Sequence, residues 1–221
     1  MNIENKPLRY PSNELTSGLL HLVGALFAIV VLVVLIVLGA RYGNSWHVVG
    51  YSLYGAGLIL LYVASASYHL IPSKFERAKG IARHLDHAMI FVLIAATYTP
   101  VTFLALEGAW RWSIFGTIWG LAILGVAIKL FRIPFHPALS TALYLFLGWL
   151  IVLAIAPLRA SLSPAELALL FFGGLSYTLG VVFFALDKVL APRKHFWMHE
   201  IFHVFVLGGS TLHTILMFLL L

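Results

Sequence analysis

Residues 17–40 read SGLLHLVGALFAIVVLVVLIVLGA, a stretch without a single Asp, Glu, Lys or Arg. About 20 apolar residues suffice to cross the hydrocarbon core of a bilayer as a helix. The run is longer than the core of a secretion signal and follows a polar segment holding Glu4 and Glu14, so it reads as a permanent span. Working outward, six further runs qualify, giving seven in all: Ser17–Ala40, Val49–Ile71, Leu85–Leu106, Ser113–Leu130, Pro137–Pro157, Ala165–Leu186 and Glu200–Leu221. Composition agrees. The 221 residues are 62% hydrophobic and 10% charged, against roughly 25% charged in soluble domains. In lipid every backbone polar group must be satisfied within the chain, which leaves helices for spans of this length. The expected fold is all-α: one seven-helix integral membrane domain over residues 1–221, with no internal repeat, low-complexity tract or separate soluble domain.

The net charge of +6 does not indicate nucleic acid, because the basic residues sit in short loops. Lys6, Arg9, Lys74, Arg77, Lys79, Arg83, Lys129, Arg132, Lys188, Arg193 and Lys194 fall at one end of the alternating spans, and only Arg41, Arg111 and Arg159 at the other. The positive-inside rule then puts the amino terminus in the cytoplasm and the carboxyl terminus outside. Trp46, Trp110, Trp112 and Trp197 fall at span ends, where interfacial aromatics belong. Pro100, inside the third span, predicts a kink, with Thr97 and Thr99 placed to re-satisfy freed backbone groups.

That topology, deduced from loop charge alone, brings His69, Asp86, His199 and His203 to the cytoplasmic face. Ionisable groups at membrane depth mark sites by default. The chain has no Cys, so a transition metal here would take nitrogen or oxygen ligands. His199 and His203, four residues apart, share a helix face, and His69 supplies a third imidazole. Three imidazoles plus water is the open, catalytic form of a zinc site. Asp86 would orient or deprotonate the water, and Ser65, one turn before His69, would support an oxyanion. Glu14, His21, His87 and Glu200 are candidate supporting groups around the ligands. His213 stands about 15 Å along the helix from His203, too far to share an ion, while His47, His136 and His195 read as interfacial. Each residue alone also has an ordinary reading. His69 can reach the interface, Ser65 can be a packing residue, and Asp86 can cap a helix or neutralise Arg83.

His199-Glu200-Ile201-Phe202-His203 matches H-E-x-x-H, in which the Glu serves as a protease base. The context fails. No acidic residue follows His203, and the extended three-histidine form would need Gly and His where Val206 and Gly209 stand. Glu200 then reads as a carboxylate favoured at a helix start; an intramembrane protease is the minor alternative.

The ordered set Ser65-x-x-x-His69, Leu85-Asp86-His87-Ala88, Thr97-Tyr98-Thr99-Pro100 and His199-x-x-x-His203 through Val206-Leu207-Gly208-Gly209-Ser210 resembles the hemolysin III family. That is the bacterial branch of the progestin and adipoQ receptor superfamily. The resemblance covers nearly the whole chain. It implies seven helices with a cytoplasmic amino terminus, zinc on His69, His199 and His203, Asp86 reaching the metal through water, and Ser65 beside it. Alkaline ceramidases are similar in the same residue set, which implies hydrolysis of a lipid amide with a ceramide-like membrane lipid as partner. Bacterial relatives are linked to haemolysis and to membrane-fluidity homeostasis in the inner membrane. One departure stands out: Glu14 and His21 match the family pattern of the first span, but Ser17 replaces its usual Asn. Glu200 is not a family position. The leading expectation is thus a zinc-dependent lipid amide hydrolase. A receptor-like or sensor protein with structural zinc is the second reading. A pore-forming haemolysin is the third, and it sits poorly with seven uniformly apolar helices on short loops.

Overall fold

The computed structural model describes residues 10–134, 136–191 and 193–221; Glu4, Lys6 and Arg9, used above for topology, lie outside them. Eight α-helices follow in order: α1 Pro11–Tyr42, α2 Ser45–Leu70, α3 Glu76–Ala105, α4 Gly108–Leu130, α5 Pro137–Trp149, α6 Ile155–Ser161, α7 Pro164–Leu186 and α8 Met198–Leu219. A 3₁₀ turn, Leu150–Ala154, joins α5 to α6 into one span, so seven helical units are long and apolar enough to cross a membrane. No strand occurs among the described residues.

Local chemistry sets the helix ends. Pro11, Pro137 and Pro164 open α1, α5 and α7, where a fixed φ and a missing N–H cost nothing. The Asn44 side chain accepts the backbone N–H groups of Trp46 and His47 at the start of α2, and Ser163 with Glu166 forms a capping box on α7.

Two of the expected spans change in detail. Helix α3 begins at Glu76 rather than Leu85, so Asp86 lies well inside a helix and is not its cap; charged helix formers such as Glu76, Arg77 and Lys79 continue a helix beyond its apolar run. The fifth span is not one continuous α-helix. Pro157 cannot donate to Leu153 and its ring crowds that carbonyl, and the preceding turn tightens to 3₁₀. The Tyr98 hydroxyl spans this break, donating to the Leu147 carbonyl and accepting from the Ile151 N–H. Pro100 lies inside α3, which continues on both sides of it. Thr97 and Thr99 donate to the Leu93 and Ala95 carbonyls, not to the Ala96 carbonyl that Pro100 leaves free.

Polarity is distributed inside out. Val23, Val30, Ile123 and Leu153 are exposed on the outer surface, while Asn13, Ser17, Ser65, His69, Glu200 and His203 are buried. That arrangement suits an apolar solvent. Helices α2 and α8 are bridged by tyrosines. Tyr51 donates to the Met217 carbonyl, Tyr54 to the Ser210 carbonyl, and Tyr62 to the Ser210 hydroxyl. Tyr51, Tyr54, Tyr62 and His69 recur along α2 at helical spacing on its buried stripe. The stripe therefore carries His69 to the basic end of the bundle, facing the start of α8.

Candidate metal centre

His69 comes from the last turn of α2, and His199 and His203 from the first two turns of α8. Their ring centroids are 5.2 Å (69–199), 5.0 Å (69–203) and 4.7 Å (199–203) apart. One nitrogen from each lies within 4.8 Å of the others, a group able to hold a metal ion. Nitrogen ligands of a tetrahedral zinc stand about 3.3 Å apart, so closing on an ion requires side-chain shifts on the order of 1 Å. His69 and His203 are 3% and 1% exposed, which keeps bulk water from competing.

The oxygens behind the rings matter as much as the distances. Nδ1 of His69 is 3.3 Å from a Glu14 carboxylate oxygen, Nδ1 of His203 is 3.3 Å from the Ser17 carbonyl, and Nδ1 of His199 is 3.8 Å from the Asp187 carboxylate. Carbonyl and carboxylate oxygens only accept, so Nδ1 of His69 and Nδ1 of His203 carry the proton; the His199–Asp187 distance is that of an ion pair, beyond a hydrogen bond. In His69 and His203 that tautomer frees Nε2 for an ion, the arrangement usual behind metal-binding histidines. Glu14 is itself held by Lys79, whose Nζ lies 3.0 Å from the carboxylate and also donates to the Ile71 carbonyl.

Asp86 of α3 is half-buried and lies within interaction reach of Ser65 and His69. Ser65, one turn before His69 on the buried face of α2, thus stands with Asp86 beside the three histidines. His21 stacks on His203 with centroids 3.8 Å apart and planes 9° from parallel. His87 stands aside: its carbonyl accepts from Tyr144, and its charged neighbours are Lys129, Arg83 and Lys188.

Glu200 is fully buried and turned to the α1–α8 seam. Its carboxylate accepts the Ser17 hydroxyl at 2.8 Å, the Asn13 amide at 3.0 Å and the Trp197 N–H at 2.8 Å. The last bond is a helix-start cap, in keeping with the structural reading of this residue. Ser17 thereby serves α8 twice, through its side chain and its carbonyl.

Asn13 and Asp187 were not singled out from the sequence. Asp187 had a usable signal, as an acidic residue at the basic-end terminus of the sixth span. Asn13 had none, since its pairing with Glu200 depends on how α1 is rotated against α8.

An apolar groove of about 420 Å³ lies between α1 and α2, and none of the three histidines lines it. Leu22, Ala25, Val63, Ala66 and Leu70 line it, and Leu22 and Leu70 adjoin His21 and His69 in sequence. A second cavity of about 380 Å³, near Tyr98, Trp149, Arg159 and His213, is not lined by the three histidines.

Residues 9–214 match the family model described as Haemolysin-III related. The chain is 40% identical over 197 residues to the hemolysin-3 homolog of Bacillus subtilis, covering 89% of each chain. It is 35% identical over 204 residues to hemolysin-3 of Bacillus cereus, covering 92% of this chain and 90% of the relative. A more distant match, 28% over 177 residues, is the human monocyte to macrophage differentiation factor, with 77% of this chain and 69% of the relative covered. Seven apolar helical spans and a family match from end to end lead to one assignment: the chain belongs to the haemolysin III family of multi-pass membrane proteins.

Proposed function

We propose that this protein is a zinc-dependent hydrolase of a lipid amide bond, resident in the bacterial inner membrane with its basic end in the cytosol. The observation that carries the reading is the trio of imidazoles each backed by an oxygen at Nδ1. A polar packing cluster has no need of such backing, whereas a metal centre does. The donor set fits zinc: three neutral nitrogens, no thiolate, and room for a further ligand. Zinc held there would acidify a water and polarise a carbonyl.

The chain's own groups supply the rest. Glu14, Asp187 and the Ser17 carbonyl fix the ring orientations. Asp86 is the general base, taking a proton from the attacking water and passing it to the departing nitrogen, so that amide and water become acid and amine. Ser65 holds Asp86 in place. The apolar groove between α1 and α2 would seat an acyl chain along the helices that carry His21 and His69.

The test pairs metal analysis with lipid turnover in purified protein. Asp86→Asn is expected to keep zinc and fold while losing hydrolysis of a ceramide-like amide by about 10²-fold or more. Undiminished turnover in that variant contradicts the assignment. A structural-zinc sensor is the second reading, favoured by the way His69 and the histidine pair join α2 to α8. It predicts that Asp86→Asn is silent and His69→Ala unfolds the bundle.

A further inference from the structure

We propose that His21 binds the acyl oxygen of the substrate, as a hydrogen-bond donor within the same centre; this rests on the metal-dependent reading above. His21 is 3% exposed, yet neither ring nitrogen has a hydrogen-bond partner among the described residues. A neutral imidazole carries one N–H donor and one lone pair. Leaving such groups buried and unmatched costs about 1–3 kcal/mol each, so the position points to a ligand that the protein itself does not provide.

The ring is held firmly. One face lies on His203, and Tyr62 meets it edge-on with centroids 5.1 Å apart. The Tyr62 hydroxyl donates to Ser210 at 2.6 Å and makes no hydrogen bond to either His21 nitrogen.

The stack also excludes His21 as a fourth ligand in this arrangement. An ion bound by an imidazole lies near the ring plane, about 2.0–2.1 Å from the nitrogen. With the two rings 3.8 Å apart and 9° from parallel, an ion in the His203 plane stays beyond bonding reach of His21. An oxygen bound to that ion on its His21 side would face this ring, which has an unused N–H to give it.

The centre needs such a donor. His21, stacked on His203 with both ring nitrogens without a hydrogen-bond partner among the described residues, is a neutral donor with free capacity against the ligand cluster. Donors to a developing oxyanion are worth about 10²–10³ in rate. The ligand class is an amide, a carboxylate or a hydroxamate, recognised through its carbonyl oxygen.

The test uses full-length purified protein loaded with Co²⁺, titrated with acetohydroxamate and followed by the visible cobalt bands. Wild type, His21→Phe and His21→Gln are all expected to retain one metal per chain. His21→Phe should bind the probe on the order of tenfold more weakly or worse, and His21→Gln, whose carboxamide can donate, should recover part of the loss. Unchanged probe affinity in His21→Phe overturns the proposal, as does loss of metal from that variant. Wild type that takes up no metal overturns the metal reading and this inference together, so the two failures are distinguishable. Should His21→Phe not fold, the ¹⁵N shifts of His21 in wild type decide: a change on adding acetohydroxamate supports the role, and no change refutes it.

Discussion

At the scale of single residues, the ligands were legible because imidazole is conspicuous in apolar helices and because loop charge fixed their shared depth. The groups behind them were less so. Glu14 came from the resemblance and His21 from its depth in the first span, while Asp187 and Asn13 act across contacts that depend on helix rotation, which no run of sequence shows. The oxygens behind the rings carry a direct prediction. Glu14→Ala should weaken zinc binding about 10–100-fold with the helical fold retained, and Asp187→Ala, at the longer 3.8 Å, should do so less; competition with a chromogenic chelator measures both. Equal affinities in all three proteins would mean that ring orientation is set elsewhere. Glu200 makes the opposite prediction. Removing its carboxylate strands the Asn13 and Ser17 donors and the Trp197 N–H, each costing about 1–3 kcal/mol. Glu200→Ala should therefore unfold at a lower temperature in detergent yet still hold zinc when folded. Full thermal stability with lost activity would instead favour the protease reading of H-E-x-x-H.

At the scale of elements, hydropathy located every span but not how the helices end or how closely they pass. The amino-terminal extension of α3 was hidden because its first turns are charged, and the 3₁₀ break before Pro157 was hidden because its residues are uniformly apolar. Close approach of α2 to α3 is set by Gly57, where an added Cβ would stand 2.4 Å from the Ala96 methyl, a contact neither short side chain can relieve. Gly57→Ala should destabilise the bundle by about 1–3 kcal/mol through overpacking. Gly116→Ala on α4, with nothing within 4 Å, should be neutral or mildly stabilising. Thermal unfolding of the two variants side by side checks the claim; identical melting points would show that α2 and α3 have slack.

At the scale of the whole molecule, the sequence pattern sufficed for the fold class, because seven apolar runs and their loop charges leave little topological freedom. His47 contacting the Leu220 carbonyl places the start of α2 beside the end of α8, and His69 beside His199 places their other ends together, as alternating spans require. The absence of cysteine makes the orientation easy to probe. In intact cells a membrane-impermeant maleimide should label Glu107→Cys and spare Lys74→Cys, and the reverse pattern would invert the bundle. The same topology is what assembles the centre from α2 and α8, with α1 and α3 supplying its supporting groups.

The most direct measurement is anomalous diffraction at the zinc edge from crystals of the purified wild-type protein. A single peak about 2.0–2.1 Å from Nε2 of His69, His199 and His203 is the predicted result. A protein that carries zinc with no peak among these three rings, or one elsewhere in the bundle, would contradict it.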